Sequence, residues 1–432
     1  MSETFSPGPA AAVADDRSPA ELAAVVLHEP GALDSPQQLL ATVREAAPVI
    51  AGPHSTYLVT GYDAAKSVYI DHRHFSSASA RDQETSLYEA HADNARDARL
   101  AKTFMDNNLI LSDEPVHSRL RGAVRDAFSV RAVAAWRPKI DHIVSELIAA
   151  VNGLASFDSV RMLGYPLPEQ VICEIVGAPY EDFAAMEKWS RVISSFPRTR
   201  PPTGPEVRGL VEASAGFVGY FDALFDTREA QAGEDLISKL LAANAASADN
   251  AITREELIAQ IALVIIAGHD TTANMVTNGL YHLLRNPAEY ARLRADPTLV
   301  PSAVEEMMRY EPSAPFPPPR RTLEDVEVAG TLIPAGCPVL PANHAAGRDP
   351  KYFVDPDRFD VGRFVDRGTM PHLSFGWGIH RCLGEHLARA ELQSMFHAIV
   401  TELPELEIIA KGAWHPGFFR HIESLTVGPK AG

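Results

Sequence analysis

The chain has 432 residues and a mass of 46.9 kDa, with 46% hydrophobic and 22% charged residues, which excludes a disordered, collagen-like or coiled-coil protein. Lys and Arg total 39 against 56 Asp and Glu, a net charge of −17; such a surface repels phosphate backbones and anionic lipid and argues against nucleic-acid and membrane partners. Three cysteines, Cys173, Cys337 and Cys382, are too few for a disulfide framework or for the four thiolates of a usual iron–sulfur cluster, and an odd number fits a reducing compartment.

Residues 1–17, rich in Ala, Pro, Ser and Asp, read as a flexible tail. They show no basic segment followed by an apolar core, so no secretory signal is expected and the cytoplasm is the expected location. No apolar run reaches the ~18 residues of a membrane span. Ser55–Thr60 alternates like a strand and stops at Gly61. Prolines cluster at Pro197–Pro205 and Pro312–Pro319 and should stop helices there. Helical patterns resume on both sides, so these are loops, and residues 18–432 read as one domain. Thr253 and Glu256 form a capping-box pair ahead of the run LIAQIALVIIAG. The apolar pattern then continues to Asn286–Pro287, predicting a helix of about 32 residues, roughly 48 Å long at ~1.5 Å per residue. Being apolar nearly all round from Ile261 to Ala267, it should cross the middle of the protein. Short strands are expected at Val326–Val328 and Pro338–Leu340, beside turns at Ala329–Gly330 and Ala335–Gly336. The expected fold class is therefore mainly α with a small antiparallel β region.

The stretch from Leu373 to Glu391 carries the most chemistry. Phe375, Gly376, Gly378, His380, Cys382 and Gly384 form a glycine-punctuated loop that runs straight into a helical pattern. Cys382 thus sits at a helix N-terminus, where free N–H groups favour a thiolate. Glycines let the backbone approach a flat ligand, and a thiolate in that setting suits iron. Two other readings stand beside this one: an inert buried cysteine, and zinc held by His372, His380, Cys382 and His386, whose spacing fits no usual zinc pattern.

Phe-x-x-Gly-x-His-x-Cys-x-Gly resembles the haem-binding loop of cytochromes P450 of the soluble bacterial type. The resemblance implies a triangular helical body around a buried haem b (iron protoporphyrin IX). It makes Cys382 the axial thiolate, with Phe375, Gly376 and Gly384 around it and His380 on a haem propionate. Ala267-Gly268-His269-Asp270-Thr271-Thr272 breaks the helical propensity of the long helix. It resembles the family's oxygen-activating motif, which implies Thr271 as the hydroxyl that organises protons and water, and Asp270 as the acid of the proton route. His269 falls at a variable position and receives no role. Glu306 and Arg309 are neighbours on a helix; by resemblance they are buried and joined by Arg358 of the segment Pro356–Phe359. Gly347 departs from the family, which usually has Asn there, with little expected effect.

Two propionates need cationic or polar donors. The resemblance assigns this task to His117 and Arg121, one turn apart, and to Arg320, although neighbouring Arg321 leaves the register open by one residue. By helical face and family position, Leu263, Ile266 and Ala267 should line the pocket, with Phe316 on the opposite wall. Phe196, Trp414, Phe418 and Phe419 are candidates to close it. An apolar lining implies an apolar organic substrate. The expected reaction is dioxygen-dependent monooxygenation, most simply hydroxylation. Nothing in the chain is left over for a flavin or cluster, so electrons are expected from an external ferredoxin and its NAD(P)H-dependent reductase, docking near Arg119, Arg125, Arg381 and Arg389. A peroxide-driven haem-thiolate peroxygenase, a non-catalytic haem sensor and, more remotely, a helical zinc protein are the competing readings.

Overall fold

A helix of 32 residues, Arg254–Arg285, runs through the centre of the protein. Its start is the capping box read from the sequence: the Glu256 N–H donates to Thr253 Oγ1 at 3.2 Å, and the Thr253 N–H to Glu256 Oε2 at 2.8 Å. Asn286 and Pro287 end it, and a second helix, Pro287–Ala295, begins at once. The computed structural model describes residues 17–28, 36–78, 85–195, 202–246, 251–366, 368–415 and 419–430. The tail expected at 1–17 lies outside these, save for Arg17, as do Phe196, Phe418 and the prolines before 202.

The all-round apolar stretch explains the central position. From Leu257 to Leu263 every side chain is buried. Among the helices packed on this one are Pro166–Val176, Phe183–Ser194, Gly204–Ala230, Val300–Tyr310 and Glu385–Glu402. One large apolar core joins them, with Phe217, Ile261, Leu280 and Phe396 all fully buried. No helix among the described residues is long and apolar enough to cross a membrane.

The β region is mixed rather than purely antiparallel. Five short strands lie in the spatial order Val49–Ala51, Tyr57–Val59, Pro338–Pro341, Arg320–Thr322, Phe75–Ser76. Tyr57–Val59 pairs parallel with Pro338–Pro341, in the register Tyr57 to Val339 and Leu58 to Leu340. A parallel pair needs a long crossover, and here nearly the whole helical body is that crossover. The hairpin Val326–Val328/Thr331–Ile333 turns on Ala329 and Gly330, both at positive φ. A further sheet of Phe157–Asp158, Leu425–Pro429 and Leu406–Lys411 was not read from the sequence.

Glu306 and Arg309 are fully buried and form a bidentate pair at 2.6 and 2.8 Å. The third member of this cluster is Arg363, whose Nε lies 3.0 Å from Glu306 Oε2. This corrects the expectation for Arg358, whose side chain is 61% exposed and points to Glu289 at 3.8 Å; only its carbonyl joins the cluster, accepting from Arg309 and Arg363. The physical reason is the turn over residues 355–358, which brings the Arg358 carbonyl inward and its guanidinium out. Gly347 is also explained. Its carbonyl accepts from Arg309 Nη1 at 2.7 Å, and a Cβ there would lie 2.8 Å from the Arg309 carbonyl oxygen.

Candidate active site

The cysteine loop is held from both ends. The Cys382 N–H donates to the Phe375 carbonyl at 2.8 Å, closing the loop, and Gly384 forms the N-cap of the helix Glu385–Glu402. Gly376 and Gly378 have φ of 64° and 71°, the left-handed region that favours glycine. Gly378 also has no room for a side chain, since a Cβ would sit 2.4 Å from the Tyr69 carbonyl oxygen. The guanidinium of Arg389 stacks 4.5 Å over the Phe375 ring.

Cys382 is the one cysteine, among the described residues, whose side chain is exposed, and it faces the interior; Cys173 and Cys337 are buried elsewhere. Burial pushes its thiol up from the usual range, although the Gly384 N–H and the charges of Arg121 and Arg389 pull the other way. Desolvation therefore outweighs the helix terminus that the sequence suggested as thiolate-stabilising. A soft metal that displaces the proton reverses this balance.

Cys382 opens into a cavity of about 340 Å³ between the central helix and the cysteine loop. Leu263, Ile266, Ala267 and Thr271 line it from one side, and Phe375, Gly376, His380 and Gly384 from the other. Phe419 also lines it, whereas Trp414 packs against Arg420 and Tyr281 instead. Phe316 is not in the wall. It lies against an apolar cluster containing Leu22, Leu40 and Leu340, and Pro317, Pro318 and Arg320 occupy the wall in its stead. The proline-rich stretch is not helical, so counting back one helical turn from Arg320 misplaced the side chain.

Beside the cysteine loop, Arg121, Arg320 and His380 line the cavity, and His117 lies against His380. Arg320 lies in a strand whose alternation turns Arg320 and Thr322 inward and Arg321 outward, which settles the register. Arg320 is 7% exposed and has no ion-pair partner among the described residues; burial lowers its pKa. Among the described residues Arg121 donates only to the Arg381 carbonyl, at 2.7 Å. His117 is 1% exposed; neither ring nitrogen has a hydrogen-bond partner among the described residues, and Glu114 Oε1 lies 3.7 Å from its Nδ1. Its ring lies 4.2 Å from that of His380. Burial and the charge of Arg320 push His380 down to about 2, so it is neutral. Two guanidiniums without an ion-pair partner among the described residues are costly unless anions join them. This donor set, beside an inward-facing thiol, fits a haem with two propionates.

On the central helix, Thr271 donates to the Ala267 carbonyl at 2.8 Å, and the helix runs on without a break. Its hydroxyl oxygen keeps its lone pairs free for the cavity. Asp270 is not in the cavity wall; it lies 3.3 Å from His269 Nε2. His269, to which the sequence gave no role, is 1% exposed and its Nδ1 lies 2.8 Å from the Ile265 carbonyl. A carbonyl only accepts, so Nδ1 carries the hydrogen. Nothing in the residue order marks this pairing, which depends on His269 turning back along the helix.

Of the four arginines expected at a docking face, Arg119 pairs with Glu256 at 2.5 Å, and Arg381 and Arg389 both pair with Glu385 at 2.8 Å. Arg125 is 67% exposed beside Asp126.

Glu305 ties the cysteine helix to Val300–Tyr310. It accepts from Arg389 Nε at 2.6 Å and Nη2 at 3.0 Å, and lies 3.1 Å from His372 Nε2. These contacts also occupy His372, and no cluster able to hold a metal ion occurs among the described residues. Burial alone would raise the Glu305 pKa, but the bonds from His372 and Arg389 outweigh it and hold it at about 2. A depressed carboxylate stabilises the fold above its unfolded pKa, and that contribution fades between about 4.5 and about 2. Glu305→Gln is expected to cost up to about 3 kcal/mol at neutral pH. Denaturant titrations across pH should show the gap to wild type narrowing below about pH 4.5; a gap independent of pH would contradict the assignment.

The family profile "Cytochrome P450" matches residues 35–404. Cytochrome P450 monooxygenase PikC of Streptomyces venezuelae is 37% identical over 86% of this chain and 84% of its own length. The 6-deoxyerythronolide B hydroxylase of Saccharopolyspora erythraea is 35% identical over 85% and 88%. The crystal structure of myxobacterial cytochrome P450 CYP267B1 in complex with myristic acid superposes with a TM-score of 0.81 at 33% identity, covering 94% of this chain and all (100%) of that one. The chain belongs to the cytochrome P450 family. It is an oxidoreductase of the monooxygenase class, and the family and its fold bind haem b through a cysteine thiolate.

Proposed function

We propose that the protein is a ferredoxin-dependent haem-thiolate monooxygenase that hydroxylates an apolar organic substrate, with Cys382 as the residue that would hold the haem iron. The observation that carries this reading is the cavity lined by both Cys382 and Thr271, with Arg121 and Arg320 in its wall and without ion-pair partners among the described residues. When bound, haem b supplies the redox chemistry by which dioxygen and two electrons oxidise the substrate.

The chain's own groups have separable tasks. Cys382 Sγ would hold the iron. Arg121 and Arg320 would neutralise the propionates, with His117 and His380 as hydrogen-bonding partners. The Gly378 turn keeps the loop against Tyr69, so the cysteine side cannot drift. Leu263, Ile266 and Ala267 exclude water and orient the apolar frame. Thr271 accepts and passes protons at the cavity wall, and the contact between His269 and Asp270 lies beside it on the helix. Electrons come from an external ferredoxin, docking on the face that bears Arg125. Relatives named as a monooxygenase and a hydroxylase support this reaction type.

Thr271→Ala tests the relay. Hydroxylated product should form about a hundredfold more slowly, the lower end of what a positioned proton-transfer group contributes. Reductant and dioxygen should still be consumed, with hydrogen peroxide released in place of product. Product yield per reductant equal to wild type would remove Thr271 from the proton route.

A further inference from the structure

We infer that Arg420 and Glu311, a buried ion pair behind the cavity wall, are positioning residues that fix Phe419 in that wall and so set the length of substrate the cavity admits. The inference rests on the monooxygenase reading above and adds what selects the substrate by size. Phe419 lines the cavity, whereas Arg420 and Glu311 are not in its wall. The two members of the ion pair are each 1% exposed.

Arg420 is held through its side chain and its backbone alike. Its Nε donates to Glu311 Oε1 at 2.6 Å, and its guanidinium carbon lies 3.9 Å from the centre of the Trp414 ring. Its N–H donates to the Ser313 carbonyl at 2.7 Å, and its carbonyl accepts from Asn278 Nδ2 at 2.9 Å. Glu311 is anchored in turn, since Gln37 Nε2 and His282 Nε2 each lie 3.1 Å from its Oε2. The backbone that follows is also braced: the His421 carbonyl accepts from the His415 N–H at 2.8 Å, and the Glu423 N–H donates to the Ala413 carbonyl at 3.0 Å.

Three stretches of the cavity wall meet at this pair. The central helix contributes Thr271 and Met275, the proline-rich stretch Ser313, and the C-terminal stretch Phe419. Asn274 and Asn278, one helical turn apart, reach from the first stretch to the other two, Asn274 Nδ2 lying 3.3 Å from Ser313 Oγ. Glu311 stands two residues before Ser313 and Arg420 one residue after Phe419, so the ion pair locks the second stretch to the third. Parting a buried carboxylate from its guanidinium leaves both charges uncompensated and out of water, so the lock resists displacement. Phe419, peptide-bonded to it, cannot swing aside for a longer ligand. The pair therefore acts on the shape of an apolar wall without touching what binds there, and small changes of fit in such a wall alter binding severalfold or more.

The test uses the haem-loaded protein and two iron-binding probes, 4-phenylimidazole and 4-(biphenyl-4-yl)imidazole. They differ by one ring, and each is followed by the shift it gives the ferric Soret band. Phe419→Ala should improve binding of the longer probe relative to the shorter by about tenfold, the lower end of what a change of fit in an apolar pocket is worth. Arg420→Ala keeps the ring but removes the lock, and should move the ratio in the same direction. Added to Phe419→Ala, it should move the ratio no further, because the two act through one side chain. Asn278→Ala frees the Arg420 carbonyl alone; it should give a smaller shift of the same sign, and it carries the test if Arg420→Ala does not fold. An unchanged ratio in Phe419→Ala overturns the inference, as do shifts at Phe419 and Arg420 that add, since Arg420 would then act on the fold at large. The carbon monoxide spectrum of the same samples separates the two levels. A thiolate-type band with no shift of the ratio removes the lock alone, whereas absence of that band in wild type removes the monooxygenase reading beneath it.

Discussion

Cys382→His protein, reduced and exposed to carbon monoxide, is expected to lack the strongly red-shifted Soret band that the wild-type protein should display. The shift reports electron density pushed from a trans thiolate, which an imidazole does not supply. Hydroxylation should fall by more than the roughly 10–100-fold that loss of a mere outer-shell partner of a metal costs. The substitution touches no helix–helix contact, since the Cys382 side chain faces the cavity rather than the core, so the fold should survive and the spectral loss can be read as loss of the ligand. A red-shifted band that persists in the variant would mean that the thiolate comes from another cysteine. A haem spectrum without the shift in wild type would leave Cys382 protonated, in line with the upward push that burial gives its thiol, and would favour a sensor.

Removing the centre of the buried charge cluster should be the largest stability effect in the chain. Glu306 accepts from Arg309 and Arg363, and also from the Asp360 N–H at 2.9 Å. Glu306→Ala strands two buried guanidiniums and is expected to cost about 3–5 kcal/mol. Arg363→Ala should cost about 3 kcal/mol, because Arg363 also ties down the Val354, Asp355 and Arg358 carbonyls. Arg358→Ala should stay within about 0.5 kcal/mol, as its side chain is exposed. Chemical denaturation of the three variants, compared with wild type, decides between Arg363 and Arg358. Equal losses at the two arginines would sink the reassignment.

Local signals in the sequence translated directly into structure. The capping box at Thr253 and Glu256 and the Asn-Pro stop bounded the central helix, because caps act through residues three apart. Gly376 and Gly378 marked the cysteine loop, because positive φ and, at Gly378, close backbone approach leave little choice of residue. Apolar periodicity found Leu263, Ile266 and Ala267 on the cavity side for the same reason that it found the helix. What needed the tertiary structure was every relation between segments distant along the chain. The choice of Arg363 over Arg358 followed from a turn that exposes one guanidinium and buries a carbonyl. The place of Phe316 followed from a proline-rich path without helical period. The short strands at Val49–Ala51, Phe157–Asp158 and Leu425–Pro429 are too brief to show alternation and exist through their partners. The contact between His269 and Asp270 and the guanidiniums of Arg121 and Arg320 without ion-pair partners among the described residues are likewise facts of packing. A residue's type fixes which hydrogen bonds it can make; only packing decides which of them are left unmade.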